Sequence, residues 1–376
     1  MDKHLFITGG TGLVGTNLVP SLLRIFPESR VTLLLRGSDE TKMLERAGSL
    51  ALRIEKVFGI ADASRRIRMV RGDVALPRCG LKAGEWDEIV GSATHLIHGA
   101  AMIRFDRPLP EAREVNFKGT ESMLELARLC AEHGPLERFV YVGTSSVSGQ
   151  RIGRVYEHQL EMGQTFFNTY EQSKAESERL VREHFDGFPC TIFRPSIIIG
   201  DSRTGSTTLF NAIYVPLRLL HRGLLRVLPA RPEALLDIVP VNWVTDAIAR
   251  ITQMPESVGL AFHLTSGPER ATKLGDLTRI AADYFDKHSP LERPRSVEFV
   301  NPEVWGRRLH EMRSRERALM SQLGMLLPYI GIDRIFDSTN TDKLLEGSGL
   351  AFPIFSDYAE RILEYCLTSN WGKKCA

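Results

Sequence analysis

The sequence predicts an α/β protein in which helices cover both faces of a parallel sheet. In the first 200 residues, short apolar runs alternate with longer segments of helical periodicity, which is the pattern of strand–helix–strand repeats. Most of these runs are apolar throughout, as expected for strands that are buried on both faces. A glycine-rich turn joins the first run to the first helical segment, and glycines permit the tight turn that such a connection needs.

The same pattern places the individual elements. Strands are predicted at residues 4–7, 31–35, 68–70, 95–97, 138–142 and 190–193. Residues 111–133 and 170–185 have apolar positions at helical intervals and are predicted to be amphipathic crossover helices. From residue 201 onward prolines interrupt the repeats, so residues 201–376 are predicted to be a smaller, mostly helical portion. Residues 236–264 are expected to rejoin the first 200.

Composition excludes several classes of protein. With 43% hydrophobic and 25% charged residues, the 376-residue chain has the composition of a folded globular protein, and its net charge of +2 gives no reason to expect nucleic-acid binding. The five cysteines are scattered, which predicts reduced thiols and no metal site. No signal peptide is recognised and no apolar run approaches the ~20 residues of a membrane-spanning helix. A cytoplasmic protein is therefore expected, with peripheral membrane contact left open.

The glycine-rich turn predicts a dinucleotide-binding site. Glycines recur every three residues where the first strand leads into a helix, so the backbone can approach a pyrophosphate and the helix amides can bind it. The sheet is therefore expected to be doubly wound and of the Rossmann type. The residues assigned to this contact are Thr8, Gly9, Gly12, Leu13, Val14 and Gly15.

The residue after the second predicted strand indicates which dinucleotide binds. Sites that prefer NAD usually place a carboxylate there, whereas this chain has Arg36, which suits the additional phosphate of NADPH. Arg46 is a second candidate for that phosphate. Asp73 and Val74 follow the third strand and are candidates for the adenine, although an acidic residue in such a loop is often only a turn former.

A catalytic group is predicted from Tyr170 and Lys174. Four residues apart on a helix, they share a face, and a neighbouring ammonium is expected to lower the pKa of a phenol. Thr144 follows the fifth predicted strand, at the carboxyl edge where ligands bind in parallel sheets. The three side chains are predicted to act on one carbonyl oxygen.

These motifs, together with Val115–Thr120 and Arg194-Pro195-Ser196, resemble those of extended short-chain dehydrogenases/reductases. The resemblance implies that Thr144, Tyr170 and Lys174 form the catalytic triad and that Lys174 also holds the nicotinamide ribose. It further implies that the nicotinamide lies beside Pro195, Ile197 and Ile198. The His98–Ala101 segment is similar to the family's cofactor-lining loop, which places Ala100 at the cofactor and makes His98 a lining residue.

Residues 193–205, 105–109 and 237–242 narrow the resemblance to the fatty acyl-CoA reductase and thioester reductase branch. This branch implies NADPH-dependent reduction of an acyl thioester, carried by coenzyme A or an acyl carrier protein, to an aldehyde; a second reduction to the alcohol is left open. Two alternatives remain: an extended-family enzyme acting on a nucleotide sugar or hydroxysteroid, and a non-catalytic NADP-sensing regulator.

Two segments of the C-terminal portion are candidate substrate contacts. Residues 210–228 are predicted to form an apolar helix that lines an acyl channel, with an ordinary packed helix as the alternative. A helix starting at Trp305 would carry a basic surface for an acidic carrier protein, coenzyme A phosphates or anionic lipid, or merely a solvated face. Its basic residues are Arg307, Arg308, Arg313, Arg315 and Arg317.

Overall fold

The computed structural model describes residues 2–37, 40–301, 305, 323–324 and 326–373. Within these residues the centre of the molecule is a seven-stranded parallel sheet in the order β12-β7-β5-β4-β1-β2-β3. The strands are, in chain order, β1 His4–Thr8, β2 Arg30–Leu35, β3 Ile67–Arg71, β4 His95–His98, β5 Arg138–Val142, β6 Gly153–Val155, β7 Cys190–Pro195, β8 Ile197–Ile199, β9 Val227–Leu228, β10 Leu235–Leu236, β11 Ile238–Pro240, β12 Leu260–Leu264, β13 Thr272–Lys273, β14 Glu298–Phe299 and β15 Arg334–Phe336.

Helices cover both faces of the sheet. They are α1 Leu13–Ile25, α2 Glu40–Phe58, α3 Ala63–Arg66, α4 Ala83–Ser92, α5 Leu109–His133, α6 Thr169–Arg182, α7 Tyr214–His221, α8 Val241–Thr252, α9 Gly267–Arg270, α10 Leu274–His288, α11 Thr339–Leu345 and α12 Phe355–Thr368. The doubly wound α/β fold predicted from the sequence is confirmed. The six predicted strands correspond to β1, β2, β3, β4, β5 and β7, and the two predicted helices to α5 and α6.

The segment expected to rejoin the first 200 residues contributes a helix and an edge strand. Helix α8 packs on α1 through a shared apolar core that includes Val244 and Ile248 on α8 and Leu18 and Leu22 on α1. Strand β12 then pairs in parallel with β7 and forms one edge of the sheet. The preceding strand, β11, pairs with β8 instead of entering the main sheet.

The C-terminal portion has its own apolar core, built mainly from α7, α10 and α12. The prediction of one channel-lining helix over residues 210–228 is wrong in extent and in position. Helix α7 spans only Tyr214–His221, and Gly223 follows it with a φ of +67°, a left-handed conformation that ends the helix. Leu217 and Leu220 on α7 are buried in the C-terminal core, so the helix is a packed one.

The buried carboxylate of Glu157 joins parts of the chain that are distant in sequence. Glu157 lies after β6, and one of its oxygens accepts 2.8 Å from the amide of His263 in β12. Its other oxygen accepts 2.6 Å from the amide of Asn340 in α11. Burial raises the pKa of Glu157 to about 7, against the effect of these donors.

The proposed basic helix lies outside the described residues from Arg307 to Arg317. Among the helices that the structure describes, none combines the length and the apolar character needed to cross a bilayer.

Candidate active site

One continuous cleft of about 610 Å³ opens at the carboxyl ends of the sheet strands. The loops that follow parallel strands all lie at this edge of the sheet, so they bring residues from distant parts of the sequence close together. The cleft brings together every site residue predicted from the sequence: Thr8, Gly9, Gly12, Leu13, Val14, Gly15, Arg36, Arg46, Asp73, Val74, Ala100, Thr144, Tyr170, Lys174, Pro195, Ile197 and Ile198.

The turn between β1 and α1 has no room for a side chain at Gly9 or Gly15. Gly9 has a φ of +73°, and a Cβ there would lie 2.6 Å from the backbone of Gly99. A Cβ on Gly15 would lie 2.2 Å from the carbonyl oxygen of Gly9. Helix α1 starts at Gly12 with no side-chain cap and no acidic residue in its first turn. Its first amides and its positive dipole end therefore suit an anionic ligand such as a pyrophosphate, and the residues present fit a dinucleotide.

A buried histidine holds β1 and β4 together behind this turn. The side chains of Thr8 and His98 are 2.8 Å apart, and the amide of Ala100 donates 3.2 Å to the Thr8 hydroxyl. Burial lowers the pKa of His98 to about 3, so its imidazole is neutral. His98 is thus a buried structural residue and not the cleft-lining residue that the resemblance implied.

The far end of the cleft presents two arginines and one aspartate. Arg36, directly after β2, and Arg46 on α2 are both exposed and line the cleft. The Asp73 carboxylate accepts 3.0 Å from the amide of Ala75, which is the bond of a turn former. Val74 is buried and packs against Gly119. A Cβ added to Gly119 would lie only 2.8 Å from the Val74 side chain.

Three polar side chains meet near the middle of the cleft. Tyr170 and Lys174 occupy one face of α6, whose first turn is capped by Asn168 accepting 3.1 Å from the amide of Glu171. Lys174 is buried and donates 3.0 Å to the carbonyl of Val142 at the end of β5. Thr144 follows β5 and lies close enough to Tyr170 for its side chain to lower the pKa of that phenol. The predicted triad therefore forms one cluster.

The pKa of Tyr170 does not follow the sequence-based expectation. Burial raises it to about 12, opposed by the Thr144 side chain and reinforced by the negative charge of Glu171. The pKa of Lys174 falls to about 7, again chiefly because of burial. Desolvation outweighs the expected effect of the ammonium on the phenol. At neutral pH Tyr170 is thus a neutral phenol, which is the state of a proton donor.

An ion pair beneath the cluster fixes α6 against β7. The guanidinium of Arg194 and the carboxylate of Glu178 are both fully buried, with 2.9 Å between Nε and Oε2. Arg182 donates a further 3.0 Å bond to the same carboxylate. These arginines hold the pKa of Glu178 low in spite of its burial. The pair orients the helix that carries Tyr170 and Lys174.

The cleft residues that sequence reasoning missed include Tyr329 and Arg334. The hydroxyl of Tyr329 donates a 2.5 Å hydrogen bond to Glu171 and accepts a 2.7 Å hydrogen bond from Asn168. These two partners flank Tyr170 in the sequence. Arg334, on β15, donates 2.6 Å to the carbonyl of Gly149. Both residues lie in the C-terminal portion, where the sequence pattern is irregular and no motif indicates a site.

Fold and cleft together define an extended short-chain dehydrogenase/reductase with a nicotinamide-dinucleotide site. The chain belongs to the NAD-binding family described as Male sterility protein, whose model matches residues 7–248. This result confirms the family resemblance that the motifs indicated.

Similar proteins include reductases of two kinds. "Fatty acyl-CoA reductase wat" of Drosophila melanogaster is 28% identical over 279 residues, which are 66% of this chain and 53% of that protein. The L-2-aminoadipate reductase large subunit of Penicillium chrysogenum is 28% identical over 289 residues, 71% of this chain and 20% of that protein. This chain thus spans about half or less of the length of these curated relatives.

The solved structures that this chain resembles include reductase domains of the same fold. The terminal R domain of the myxalamid PKS-NRPS biosynthetic pathway superposes with a TM-score of 0.80 at 26% identity, covering 98% of this chain and 91% of that one. The reductase (R) domain of a nonribosomal peptide synthetase from Mycobacterium tuberculosis has a TM-score of 0.73 at 20% identity, covering 100% of this chain and 93% of that one, and shows the shared fold.

Proposed function

We propose that this chain is an NADPH-dependent reductase that converts an acyl thioester, bound to coenzyme A or an acyl carrier protein, into an aldehyde. The observation that carries the proposal is the shared cleft: the glycine turn at α1 and the cluster of Thr144, Tyr170 and Lys174 line the same space. The relatives named for fatty acyl-CoA and aminoadipate reduction support the thioester as substrate. The preference for NADPH is proposed from Arg36 and Arg46, which line the cleft.

The proposed cofactor contacts run along the cleft. The pyrophosphate would bind the amides at Gly12–Gly15, with Thr8 and Ala100 behind it. Arg36 and Arg46, exposed at the far end, would bind the 2′-phosphate that distinguishes NADPH from NADH. Asp73 and Val74 would flank the adenine. Lys174 would hold the nicotinamide ribose, and the loop Pro195–Ile198 would lie beside the nicotinamide.

The chain's own groups account for the proton chemistry. A reduced nicotinamide supplies the hydride that forms the new C–H bond at the thioester carbon. Tyr170 and Thr144 would donate hydrogen bonds to the carbonyl oxygen as negative charge develops there, and Tyr170 would then transfer its proton to that oxygen. The resulting hemithioacetal breaks its C–S bond, its hydroxyl proton passes to sulfur, and the products are an aldehyde and a free thiol.

We propose the division of the chain into a cofactor-binding part and a substrate-binding part that the sequence predicted. Residues 1–200, with 236–264, would hold the cofactor, and the rest of 201–376 would hold the acyl group. This division fits the cleft, because Leu209, Leu235 and Ile332 from the C-terminal portion line it together with the glycine turn and the triad.

Turnover by the purified chain tests the function. Incubation with NADPH and matched acyl-CoA, acyl-carrier-protein and UDP-sugar substrates, while cofactor absorbance is followed, should show oxidation only with thioesters. Product analysis should identify an aldehyde and an equal amount of thiol. Turnover of a UDP-sugar alone would contradict the proposal in favour of an epimerase-type enzyme, and NADPH binding without turnover of any substrate would favour a regulator.

A further inference from the structure

The side chain of Arg334 lines the candidate active-site cleft. It is held there by Nη1, which donates 2.6 Å to the carbonyl of Gly149 and 3.1 Å to the hydroxyl of Ser148. It also lies 5.0 Å from the ring centre of Phe336. Pairing of β15 with β6 fixes the backbone of this arginine in register opposite Gly153. The position of the positive charge is therefore built into the fold.

No carboxylate among the described residues forms an ion pair with this guanidinium. Glu171 and Asp237 are near enough to raise the pKa of Arg334, yet burial outweighs them and lowers it. Glu171 already accepts from Tyr329 and Phe167, and Asp237 accepts 2.8 Å from the amide of Ser266. In the described part of the chain, the hydrogen bonds of Arg334 all use Nη1. Its Nε and Nη2 groups thus remain as donors for a ligand.

The charge lies near the reacting end of the proposed substrate. Ser148 and Gly149, which hold Arg334, end the 3₁₀ turn that starts at Thr144. Arg334 lines the same cleft as Thr144 and Tyr170, and its charge acts on Glu171, which directly follows Tyr170 in α6. A short acyl chain with its carbonyl oxygen at Thr144 and Tyr170 could therefore reach the guanidinium.

We propose that Arg334 binds a carboxylate carried by the acyl chain, so that the preferred substrates are short acyl thioesters with an acidic group and not plain hydrocarbon chains. The inference rests on the thioester reductase function proposed above. Arginine binds a carboxylate with two parallel hydrogen bonds, and a partly buried cation gains most from such a partner. A hydrocarbon chain would leave the same cation desolvated and unpaired, which is unfavourable.

A pair of substrates of equal length isolates this interaction. Adipyl-CoA and hexanoyl-CoA differ only in the terminal carboxylate and carry the same coenzyme A phosphates. We expect kcat/KM to be at least about tenfold higher for adipyl-CoA, as for other hydrogen bonds to charged groups. Arg334→Gln should bring the ratio of the two kcat/KM values to about one, with the loss falling on adipyl-CoA. Arg334→Lys, which keeps the charge, should retain part of the preference.

Arg231→Gln is the matched control, because Arg231 is an exposed arginine that pairs at 2.8 Å with Asp333, next to Arg334 in sequence. It should change neither substrate. NADPH affinity and melting temperature of each variant show whether the loop at Ser148 has been preserved. A preference for hexanoyl-CoA, or an equal loss for both thioesters in Arg334→Gln, overturns the inference; equal loss would mean that Arg334 binds a phosphate of coenzyme A.

Equilibrium binding separates failure of the inference from failure of the proposed function. Titration of both thioesters into the protein with NADP⁺ should show tighter binding of adipyl-CoA to the original chain and equal binding to Arg334→Gln. If neither thioester is reduced but this difference is present, the reductase function is wrong and the carboxylate site stands. If both are reduced and bound equally, the carboxylate site is wrong and the reductase function stands.

Discussion

Lys174 is bonded through its ammonium to the main-chain carbonyl of Val142, at 3.0 Å. The same nitrogen lies 4.2 Å from the ring centre of Tyr141, so its surroundings are a carbonyl dipole and an aromatic face. Burial lowers the pKa of Lys174 to about 7, and the charge of Glu178 opposes this only in part. A buried lysine with a pKa near 7 has a measurable effect on folding.

Lys174→Met should stabilise the chain at low pH while it abolishes reduction. Between the folded pKa of about 7 and the ordinary value of 10.5, the unfolded chain binds more protons than the folded chain, so stability rises with pH across this window. Below pH 7 the full cost of burying the charge is present. The variant should therefore gain several kcal/mol in free energy of unfolding at pH 6, since each pH unit by which the pKa is lowered costs about 1.4 kcal/mol, and this gain should become small toward pH 10. Urea denaturation across this range measures it. Lys118→Met, at an exposed lysine paired with Glu114, should show no such gain; a pH-independent difference for Lys174→Met would contradict the lowered pKa.

Tyr170→Phe should lower kcat by about 100-fold or more, the usual effect of removing a general acid. The ring and its packing 5.5 Å from Phe105 remain, so NADPH affinity should be unchanged. Single-turnover oxidation of NADPH measures the chemical step. Tyr156→Phe, an exposed tyrosine outside the cleft, should react at the original rate. Undiminished turnover by Tyr170→Phe would show that another group donates the proton.

Arg36→Ala should reduce the preference for NADPH over NADH by about tenfold, because a charge-assisted contact with the 2′-phosphate is lost. The loss should fall on the KM for NADPH, with NADH little affected, and should become smaller at high salt because Arg36 is exposed. Steady-state kinetics with both cofactors measures this. Equal losses for NADH and NADPH would remove Arg36 from the selectivity determinants and leave Arg46 as the candidate.

Alanine at two glycines should separate folding from cofactor binding. A Cβ on Gly12 meets nothing closer than the Gly9 carbonyl at 3.4 Å, whereas a Cβ on Gly15 overlaps the turn at 2.2 Å. Gly12→Ala should melt within a few degrees of the original chain but bind the dinucleotide at least about tenfold more weakly, because the backbone is no longer accessible to the pyrophosphate. Gly15→Ala should lose stability as well. Gly84→Ala, where a Cβ contacts nothing within 4 Å, should change neither property. Full cofactor affinity in Gly12→Ala would place the pyrophosphate elsewhere.

Tyr329→Phe should lower kcat severalfold without changing the affinity for NADPH. The lost hydroxyl leaves Glu171, fully buried, with one donor fewer and frees the Asn168 cap, so the turn that carries Tyr170 becomes less well fixed. The packing of the Tyr329 ring on Phe105 is retained. The pH profile of kcat should shift as well, because the charge of Glu171 bears on the pKa of Tyr170. A profile and kcat identical to the original would show that the bond does not position Tyr170.

The parts of the structure that follow local pattern were predictable, and the parts that depend on distant pairing were not. Strand β5 has the same bounds, Arg138–Val142, in prediction and structure, because its apolar run is flanked by clear turn residues. Strand β15 is three residues long and exists only because it pairs with β6, so no local signal marks it. Arg334 is held at the cleft by that pairing, and Tyr329 by its bonds to Asn168 and Glu171, so neither could be found from local pattern.

Two expectations failed for a physical reason that single-sequence reasoning does not see. The apolar residues after Phe210 are compatible with a packed core as well as with a channel. Only the fold shows that α7 packs on α10. The pKa of Tyr170 depends on how far the cleft is desolvated, and the spacing to Lys174 holds no information on that.

The bonds of Glu157 bear on how this chain is made. The two amides that donate to its carboxylate, those of His263 and Asn340, are synthesised more than a hundred residues after Glu157. Until then β7 is an open edge, since β12 has not been added, and an acidic side chain destined for the interior has no partner. A ribosome-bound fragment of 200 residues should therefore be open to proteases and chaperones, and the nucleotide-binding half should become protected only when the last part of the polypeptide has emerged.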